Sequence, residues 1–153
     1  MSDANLPIGV FDSGMGGLTV LAALRQQLPE EDFIYLGDTA RLPYGTKSAD
    51  TVVRYAGQAA GLLVRRGIKA LVVACNTASA TALHDLAQAF APLPVFGVVE
   101  PGARAACEVA DASGVAVLAT ESTIAGGAYQ RALLAGQASL RIVGRPCPLW
   151  VTL

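Results

Sequence analysis

The sequence predicts an α/β protein in which helices flank a parallel β-sheet. Short apolar runs alternate with amphipathic helical patterns from residue 8 to residue 143. The runs are apolar throughout rather than at every second residue, which is typical of strands buried on both faces. With 53% hydrophobic and 15% charged residues among 153, the chain has enough apolar surface to bury a core.

Strands and helices are predicted in strict alternation. The six predicted strands comprise residues 8–11, 33–36, 70–75, 95–99, 115–118 and 140–143. The first helix carries the stripe Leu21, Leu24 and Leu28 and ends at Pro29. Residues 49–66 form the next helix, with Ser48 as its N-cap and Gly67 as its stop. Further helices are predicted at residues 77–90, 102–110 and 123–134.

Composition and charge argue against several classes of protein. The formal net charge of −1 gives no electrostatic reason to expect nucleic acid or an anionic membrane as a partner. No apolar run approaches the roughly 20 residues of a membrane span, and residues 1–7 lack the features of a signal peptide. We therefore expect a cytoplasmic protein with reduced thiols. A single histidine and three widely spaced cysteines predict no metal site.

Polar side chains follow five consecutive predicted strands. They are Asp12-Ser13, Asp38-Thr39, Cys75-Asn76-Thr77, Glu100 and Thr120. In open parallel sheets, ligands bind outside the carboxyl ends of the strands. Maintaining a fold does not require this many polar strand ends, so the sequence predicts a functional site at this edge.

Cys75 is the most informative of these residues. It follows a buried strand and stands at the start of the helix predicted from Thr77. The unpaired N–H groups and the dipole of a helix N-terminus favour thiolate over thiol, whose pKa is ordinarily about 8.5. We therefore expect an activated thiol here. By contrast, Cys107 is interpreted as a core residue and Cys147, between two prolines, as a structural or incidental loop thiol.

Several other residues have both a structural and a functional interpretation. His84 lies about two turns beyond Cys75 and is predicted to occupy an exposed helix face rather than to pair with the thiol. Tyr44 is either a core anchor or a hydroxyl that orients a ligand carboxylate at the edge of the site. Tyr129 and Trp150 are interpreted as packing residues.

The glycine-rich segment Asp12-Ser13-Gly14-Met15-Gly16-Gly17 has three interpretations. Its backbone could wrap a phosphate, although the spacing matches neither common nucleotide-binding motif. It could instead be a tight turn in which Asp12 or Ser13 caps a helix. The interpretation that suits the residues best is a set of backbone donors for a small carboxylate, with Asp12 accepting an ammonium group or a proton.

Taken together, the motifs resemble the glutamate racemases of the aspartate/glutamate racemase family. The matching blocks are IGVFDSGMGGL at residues 8–18, DTARLPYG at 38–45, ACNTA at 74–78, GVVEP at 97–101, and the pair Thr120 and Thr123. The resemblance implies a cofactor-independent enzyme that interconverts L- and D-glutamate for peptidoglycan synthesis. Aspartate racemase is a more distant relative and the nearest alternative.

The resemblance also implies roles for individual residues. Two cysteines on opposite faces of the substrate exchange the α-proton, and Cys75 is the one that deprotonates D-glutamate or reprotonates toward it. Asp12 assists the thiol and the substrate ammonium. The amino and carboxylate groups are held by Asp12, Ser13, Tyr44, Gly45, Asn76, Thr77, Thr120 and Thr123. No metal or other cofactor is implied.

One family motif is missing. The block with the second catalytic cysteine, Gly-Cys-Thr-His-Tyr-Pro, does not occur in this sequence. We therefore expect the N-terminal portion of a Rossmann-like racemase, with a first α/β domain at residues 1–97 and the beginning of a similar second domain at 98–153. We expect little or no racemase activity and a possible homodimer. The alternative is a non-catalytic module that binds an amino acid or another protein.

Overall fold

The computed structural model describes residues 5–111 and 114–151. The strands are β1 (Ile8–Asp12), β2 (Phe33–Gly37), β3 (Ala70–Val73), β4 (Val95–Gly97), β5 (Val115–Ala119) and β6 (Ile142–Pro146). The helices are α1 (Leu18–Gln27), α2 (Ala49–Arg65), α3 (Asn76–Ala89), α4 (Val99–Val109), α5 (Glu121–Gly126) and α6 (Ala128–Gly136). Short 3-10 turns cover Tyr44–Thr46 and Pro148–Val151. The predicted α/β class and the parallel pairing of the strands are confirmed.

The first four strands form one parallel sheet in the order β2-β1-β3-β4. The chain leaves β1 toward β2 and then crosses back to place β3 on the other side of β1. The strand order therefore reverses between β1 and β3, which pair with Phe11 opposite Val73. Such a reversal opens a crevice at the carboxyl ends of the two strands, where open α/β sheets bind ligands.

The last two strands form a separate two-stranded parallel sheet. We call β1–β4 with α1–α3 the first region, and β5–β6 with α4–α6 the second region. Each has its own core: among the described residues, fourteen buried ones form the first, including Phe11, Leu63 and Leu71, whereas four form the second. The predicted domain boundary between residues 97 and 98 stays a prediction; the two cores lie on either side of it.

Several predicted element boundaries are wrong, and β3 ends at Val73 rather than at Cys75. Residues 98 and 99 do not extend β4, because α4 begins at Val99 and places Glu100 in its first turn. The helix predicted at residues 123–134 is two helices, since Gly127 adopts a left-handed φ of 64° that ends α5 and starts α6. β6 begins two residues later than predicted.

The two faces of the first sheet are covered unequally. Helices α2 and α3 bury one face almost completely. On the other face α1 has no fully buried residue, and an apolar groove of about 400 Å³ runs between α1, β3 and β4. Phe96 on β4 lines this groove and is largely exposed. The expectation of full cover on both faces is therefore met on one face only.

None of the helices in the described part of the chain combines the length and the hydropathy that a bilayer span requires.

Candidate active site

The site lies at the point where the strand order reverses. Asp12 ends β1 and Cys75 follows β3, so the parallel pairing of these strands brings a carboxylate and a thiol to the same edge. Both side chains are buried. The first helical turn of α3 begins directly after Cys75, with N–H groups that have no intrahelical acceptor.

Residues 13–17, the glycine turn, fold back over the ends of β1 and β3. The Gly14 N–H donates to Asp12 Oδ2 at 3.0 Å, which holds the carboxylate under the turn. A Cβ at Gly17 would lie 2.6 Å from the Cβ of Asp12 and 3.0 Å from that of Ala74, so this close approach requires glycine. The Tyr35 hydroxyl donates to the Gly14 carbonyl at 3.1 Å and braces the turn from β2.

Cys75 is the N-cap of α3. Its Sγ accepts a hydrogen bond from the Ala78 N–H at 3.4 Å and, as a thiol, donates to Ser13 Oγ at 3.2 Å. On ionisation the Ser13 hydroxyl can turn and donate instead, so the same pair can hold either protonation state of the sulfur. The side chain is 6% exposed, which leaves the thiol facing the site rather than bulk water.

The expected low pKa of this thiol is not found. Burial raises the pKa of the Cys75 thiol above its ordinary value, and the nearby Asp12 carboxylate adds to the increase. The contacts with Ser13 and the Ala78 N–H act in the opposite direction but do not overcome the desolvation. The contacts at the helix N-terminus therefore moderate the increase in the pKa of Cys75 without reversing it.

Tyr44 is buried and only 1% exposed. Its hydroxyl donates to Asp38 Oδ2 at 2.6 Å, and the same oxygen accepts from Arg41 Nε at 2.7 Å. Because the Tyr44 hydroxyl already donates to Asp38, the structure favours the interpretation of this side chain as a core anchor. Asp38 and Arg41 fix the turn that carries Tyr44 and Gly45, so the contribution of this turn to a ligand would come from its backbone.

Three threonines form a compact hydroxyl cluster between the two regions. The Oγ1 atoms of Thr77 and Thr120 are 3.1 Å apart, those of Thr120 and Thr123 are 2.9 Å apart, and those of Thr77 and Thr123 are 3.3 Å apart. Thr120 also caps α5 through the Thr123 N–H. Gly45 packs against this cluster, because its Cβ would lie 2.4 Å from Thr120 Cβ. The cluster thus joins the first region to the second beside Cys75.

Asn76 is exposed at the start of α3. Its Oδ1 accepts a hydrogen bond of 2.6 Å from the hydroxyl of Tyr129 on α6. Tyr129 is therefore both part of the packing around the second core and a direct neighbour of a predicted site residue.

The structure brings all the predicted site residues to one edge, but their roles remain predictions. Asp12, Ser13 and Cys75 meet at the glycine turn, and Gly45, Thr77, Thr120 and Thr123 meet at the hydroxyl cluster. Asn76 follows Cys75 at the start of α3, and Tyr44 precedes Gly45 in the turn that packs against the cluster.

Other candidates lie elsewhere. His84 and Glu100 are exposed and border a separate groove of about 530 Å³. Cys107 packs beside the second core, where its thiol donates to the Leu133 carbonyl. Cys147 follows β6, with its N–H bonded to the Ala119 carbonyl and its thiol directed at the Arg145 carbonyl. Trp150 is 65% exposed, so its interpretation as a packing residue is wrong.

Within residues 5–111 and 114–151, no three His, Cys, Asp or Glu side chains come together in a way that could hold a metal ion. A buried thiol can give or take a proton, a carboxylate can accept an ammonium group, and hydroxyls and free helix N–H groups can bind a carboxylate.

Sequence reasoning missed Tyr35, Tyr129 and the structural role of Asp38. The sequence did draw attention to Asp38, because it is one of the polar residues that directly follow a predicted strand. Tyr35 sits inside a strand, and Tyr129 bonds to a residue 53 positions away, so only the tertiary structure reveals these contacts.

Comparison with known proteins identifies the family. Residues 8–146 match the Asp/Glu/Hydantoin racemase family. The glutamate racemase of Geobacter metallireducens is 55% identical over 146 residues, which are 95% of this chain and 54% of that protein. The glutamate racemase of Thermus thermophilus is 53% identical over the whole chain, which corresponds to 56% of that protein. The chain thus spans little more than half the length of these relatives.

The comparison with solved structures points to the same family. The Thermus thermophilus glutamate racemase in complex with β-chloro-D-alanine superposes with a TM-score of 0.85 at 53% identity, covering 99% of this chain and 56% of that one. The Francisella tularensis glutamate racemase in complex with D-glutamate gives 0.90 at 40% identity, covering 99% and 56%. From its sequence, its fold and the residues at the edge of its sheet, the chain belongs to the Asp/Glu/Hydantoin racemase family.

Proposed function

We propose that this chain carries one side of a two-thiol, cofactor-independent glutamate racemase site that serves peptidoglycan precursor synthesis in the cytoplasm. Cys75 is the acid/base on the side that deprotonates D-glutamate or reprotonates toward it. The observation that carries the proposal is the position of the Cys75 thiol. It lies beside Asp12, at the switch in strand order, held between Ser13 and the Ala78 N–H.

The choice of glutamate is supported by the relatives. The proteins that are 53% and 55% identical over nearly the whole chain are glutamate racemases, and one solved relative was crystallised with D-glutamate. An aspartate racemase activity remains the alternative within the family.

The proposed reaction begins when Cys75 takes the α-proton. The Cα–H bond breaks, its electron pair delocalises into the α-carboxylate, and the proton moves to Sγ. Hydroxyl and N–H donors around the carboxylate stabilise the charge that develops there, which is the role we assign to Ser13, Asn76, Thr77, Thr120, Thr123 and the backbone of Tyr44 and Gly45. Asp12 pairs with the α-ammonium group.

The raised pKa of Cys75 fits one half of this cycle directly. A protonated thiol is the proton donor needed to complete D-glutamate. For the reverse direction the thiol must ionise, and the substrate ammonium beside Asp12 supplies the positive charge that favours the thiolate. Racemisation also needs an acid on the opposite face. Among the described residues, neither Cys107 nor Cys147 makes a hydrogen bond to the residues around Cys75.

Deuterium incorporation at Cα tests this assignment. We expect D-glutamate incubated with the chain in D₂O to acquire deuterium faster than L-glutamate, as followed by proton NMR. Net inversion, followed by circular dichroism, should be slight. Exchange should vanish in Cys75→Ser and persist in the matched control Cys107→Ser. Exchange that survives Cys75→Ser contradicts the role of Cys75. Rapid inversion that depends on both Cys75 and Cys147 contradicts the one-thiol arrangement.

A second candidate is a module that binds an amino acid without proton transfer. It is motivated by the family block with the second catalytic cysteine, which does not occur in this sequence. Calorimetry with the D and L forms of glutamate and aspartate separates the two functions. Binding without deuterium exchange supports the module, and a preference for aspartate supports the aspartate racemase alternative.

A homodimer is also proposed. The groove along α1 and β4 exposes apolar side chains, including Phe96, that association would cover. Sedimentation velocity should show a concentration-dependent dimer that is weakened by Phe96→Ser. A monomer at all concentrations contradicts this assembly.

A further inference from the structure

The hydrogen bond between Tyr129 and Asn76 crosses from the second region to the residue next to Cys75. The Tyr129 hydroxyl donates to Asn76 Oδ1 at 2.6 Å. The proposed proton transfer makes no use of Tyr129.

Two glycines allow the tyrosine to reach Asn76. Gly127, with its φ of 64°, turns the chain between α5 and α6, so Tyr129 lies in the first turn of a new helix. Gly102 on α4 leaves room for the ring, because a Cβ there would lie 3.2 Å from the Tyr129 hydroxyl and 3.4 Å from its Cε1. The phenol therefore occupies a fitted slot against α4.

An asparagine amide has an acceptor end and a donor end, and an exposed amide can present either. The phenol here occupies the acceptor end. The Nδ2 group, which carries two N–H donors, is left as the free end. A fixed donor suits an anionic ligand, whereas a free amide must first lose rotational freedom on binding.

We propose that Tyr129 is a positioning residue that holds the Asn76 amide with its N–H₂ group toward the ligand carboxylate. This inference rests on the proposed function, in which Asn76 binds the amino acid. Burial raises the pKa of Tyr129, which keeps its hydroxyl a donor throughout the neutral range.

Removal of the hydroxyl gives the first test. We expect Tyr129→Phe to weaken the binding of D-glutamate by roughly 3- to 10-fold, the range of one lost hydrogen bond. In the ligand-free protein the side-chain amide NMR signals of Asn76 should also shift. Leu134→Ala, an exposed change on the same helix, is the control and should bind as the original chain does.

Gly102→Ala gives a sharper test because it separates binding from stability. The added methyl group crowds the phenol by a few tenths of an ångström, while alanine favours the helix more than glycine does. We expect weaker D-glutamate binding without a lower melting temperature. In the Tyr129→Phe background the same change should have little further effect, because the hydroxyl that it displaces is gone.

The outcomes distinguish this inference from the proposed function. If Asn76→Ala weakens binding but Tyr129→Phe and Gly102→Ala do not, the positioning role is wrong and the proposed function stands. If the chain binds no glutamate, or Asn76→Ala binds as the original does, the proposed use of Asn76 fails and the role of Tyr129 fails with it. Additive effects of Tyr129→Phe and Gly102→Ala would also overturn the inference.

Discussion

The two regions of the molecule supply the site in different ways. The first region has a four-stranded sheet, fourteen buried core residues, and the groups proposed to do the chemistry, Asp12 and Cys75. The second region has two strands and four buried core residues, and it contributes Thr120, Thr123 and Tyr129. The second region therefore buries less apolar surface of its own than the first, and we expect its contacts with the first region to contribute to its stability.

These contacts lie at the site itself. The hydroxyl cluster, the close approach of Gly45 to Thr120 and the bond from Tyr129 to Asn76 all join the regions next to Cys75. The contacts that hold the second region against the first are thus also the contacts that shape the candidate active site. We therefore expect the first region, which carries Asp12 and Cys75, to be rigid by itself. The placement of the second region, which contributes binding groups, should depend on the first.

Leu71→Ala should have the largest effect. Leu71 is completely buried in the first core, and such truncations cost about 2–5 kcal/mol. We expect the urea midpoint to fall and hydrogen exchange to accelerate in both regions, because the second depends on the first.

Leu133→Ala is the matched change in the second core. It should accelerate exchange in β5 and β6 and leave β1 and β3 protected. Equal loss of protection in all four strands would show that the two regions unfold as one unit and would remove the contrast.

Gly45→Ala tests the junction between the regions. The new methyl carbon would lie 2.4 Å from both Cβ and Cγ2 of Thr120, which no small rotation relieves. We expect a loss toward the upper end of the 1–3 kcal/mol typical of overpacking, with faster hydrogen exchange in β5. Gly57→Ala in α2 is the control, because nothing lies within 4 Å of its added carbon. This control should gain about 0.5–1 kcal/mol from helix propensity. A Gly45→Ala protein as stable as the control would contradict the close packing of Gly45 against Thr120.

Tyr44→Phe tests how the turn beside the junction is held. The change removes the hydrogen bond to Asp38, which retains Arg41 as a partner, so we expect a loss of about 1.5 kcal/mol in urea denaturation. The ring itself stays and continues to pack against Phe11 and Tyr55. No change in stability would indicate that Arg41 alone satisfies Asp38.

The sequence predicted the first region better than the second, for physical reasons. Continuous apolar runs and the Ser48 cap located β1, β2 and α2 closely, because local pattern and burial agree there. The break at Gly127 was missed, since one glycine inside an otherwise helical pattern is tolerated in many helices. The early start of α4 was missed because Val98 and Val99 favour strand by composition.

The site shows the same division. Strand-end positions predicted that Asp12, Ser13 and Cys75 would meet, since adjacent parallel strands end at one edge. The pKa of Cys75 was predicted in the wrong direction. The helix N-terminus can be read from the sequence, whereas the burial that outweighs it depends on how completely Ser13 and the glycine turn cover the sulfur. Tyr129 could not be predicted, because its contact with Asn76 depends on the placement of α6 by two glycines.

The smallest expected effects concern the Cys75 thiol. They distinguish a rigid site, in which the sulfur stays buried, from a mobile one. In the folded chain Cys75 holds its proton more tightly than in the unfolded chain, because its pKa is raised. The associated stability is present at neutral pH and is lost as the pH rises through the ordinary thiol pKa and then through the folded one. Alkylation by iodoacetamide, resolved by mass spectrometry, should therefore begin at higher pH for Cys75 in the folded chain than in the urea-unfolded chain.

Two variants should displace the pH profile of Cys75 alkylation in opposite directions. Ser13→Ala removes a contact that favours the thiolate, so the alkylation profile of Cys75 should move to still higher pH. Asp12→Asn removes a neighbouring negative charge and should move the profile to lower pH. A mobile site would let water reach the sulfur and would make both variants resemble the original. Opposite displacements, with Cys147 unchanged in each, are what a pre-organised first region requires.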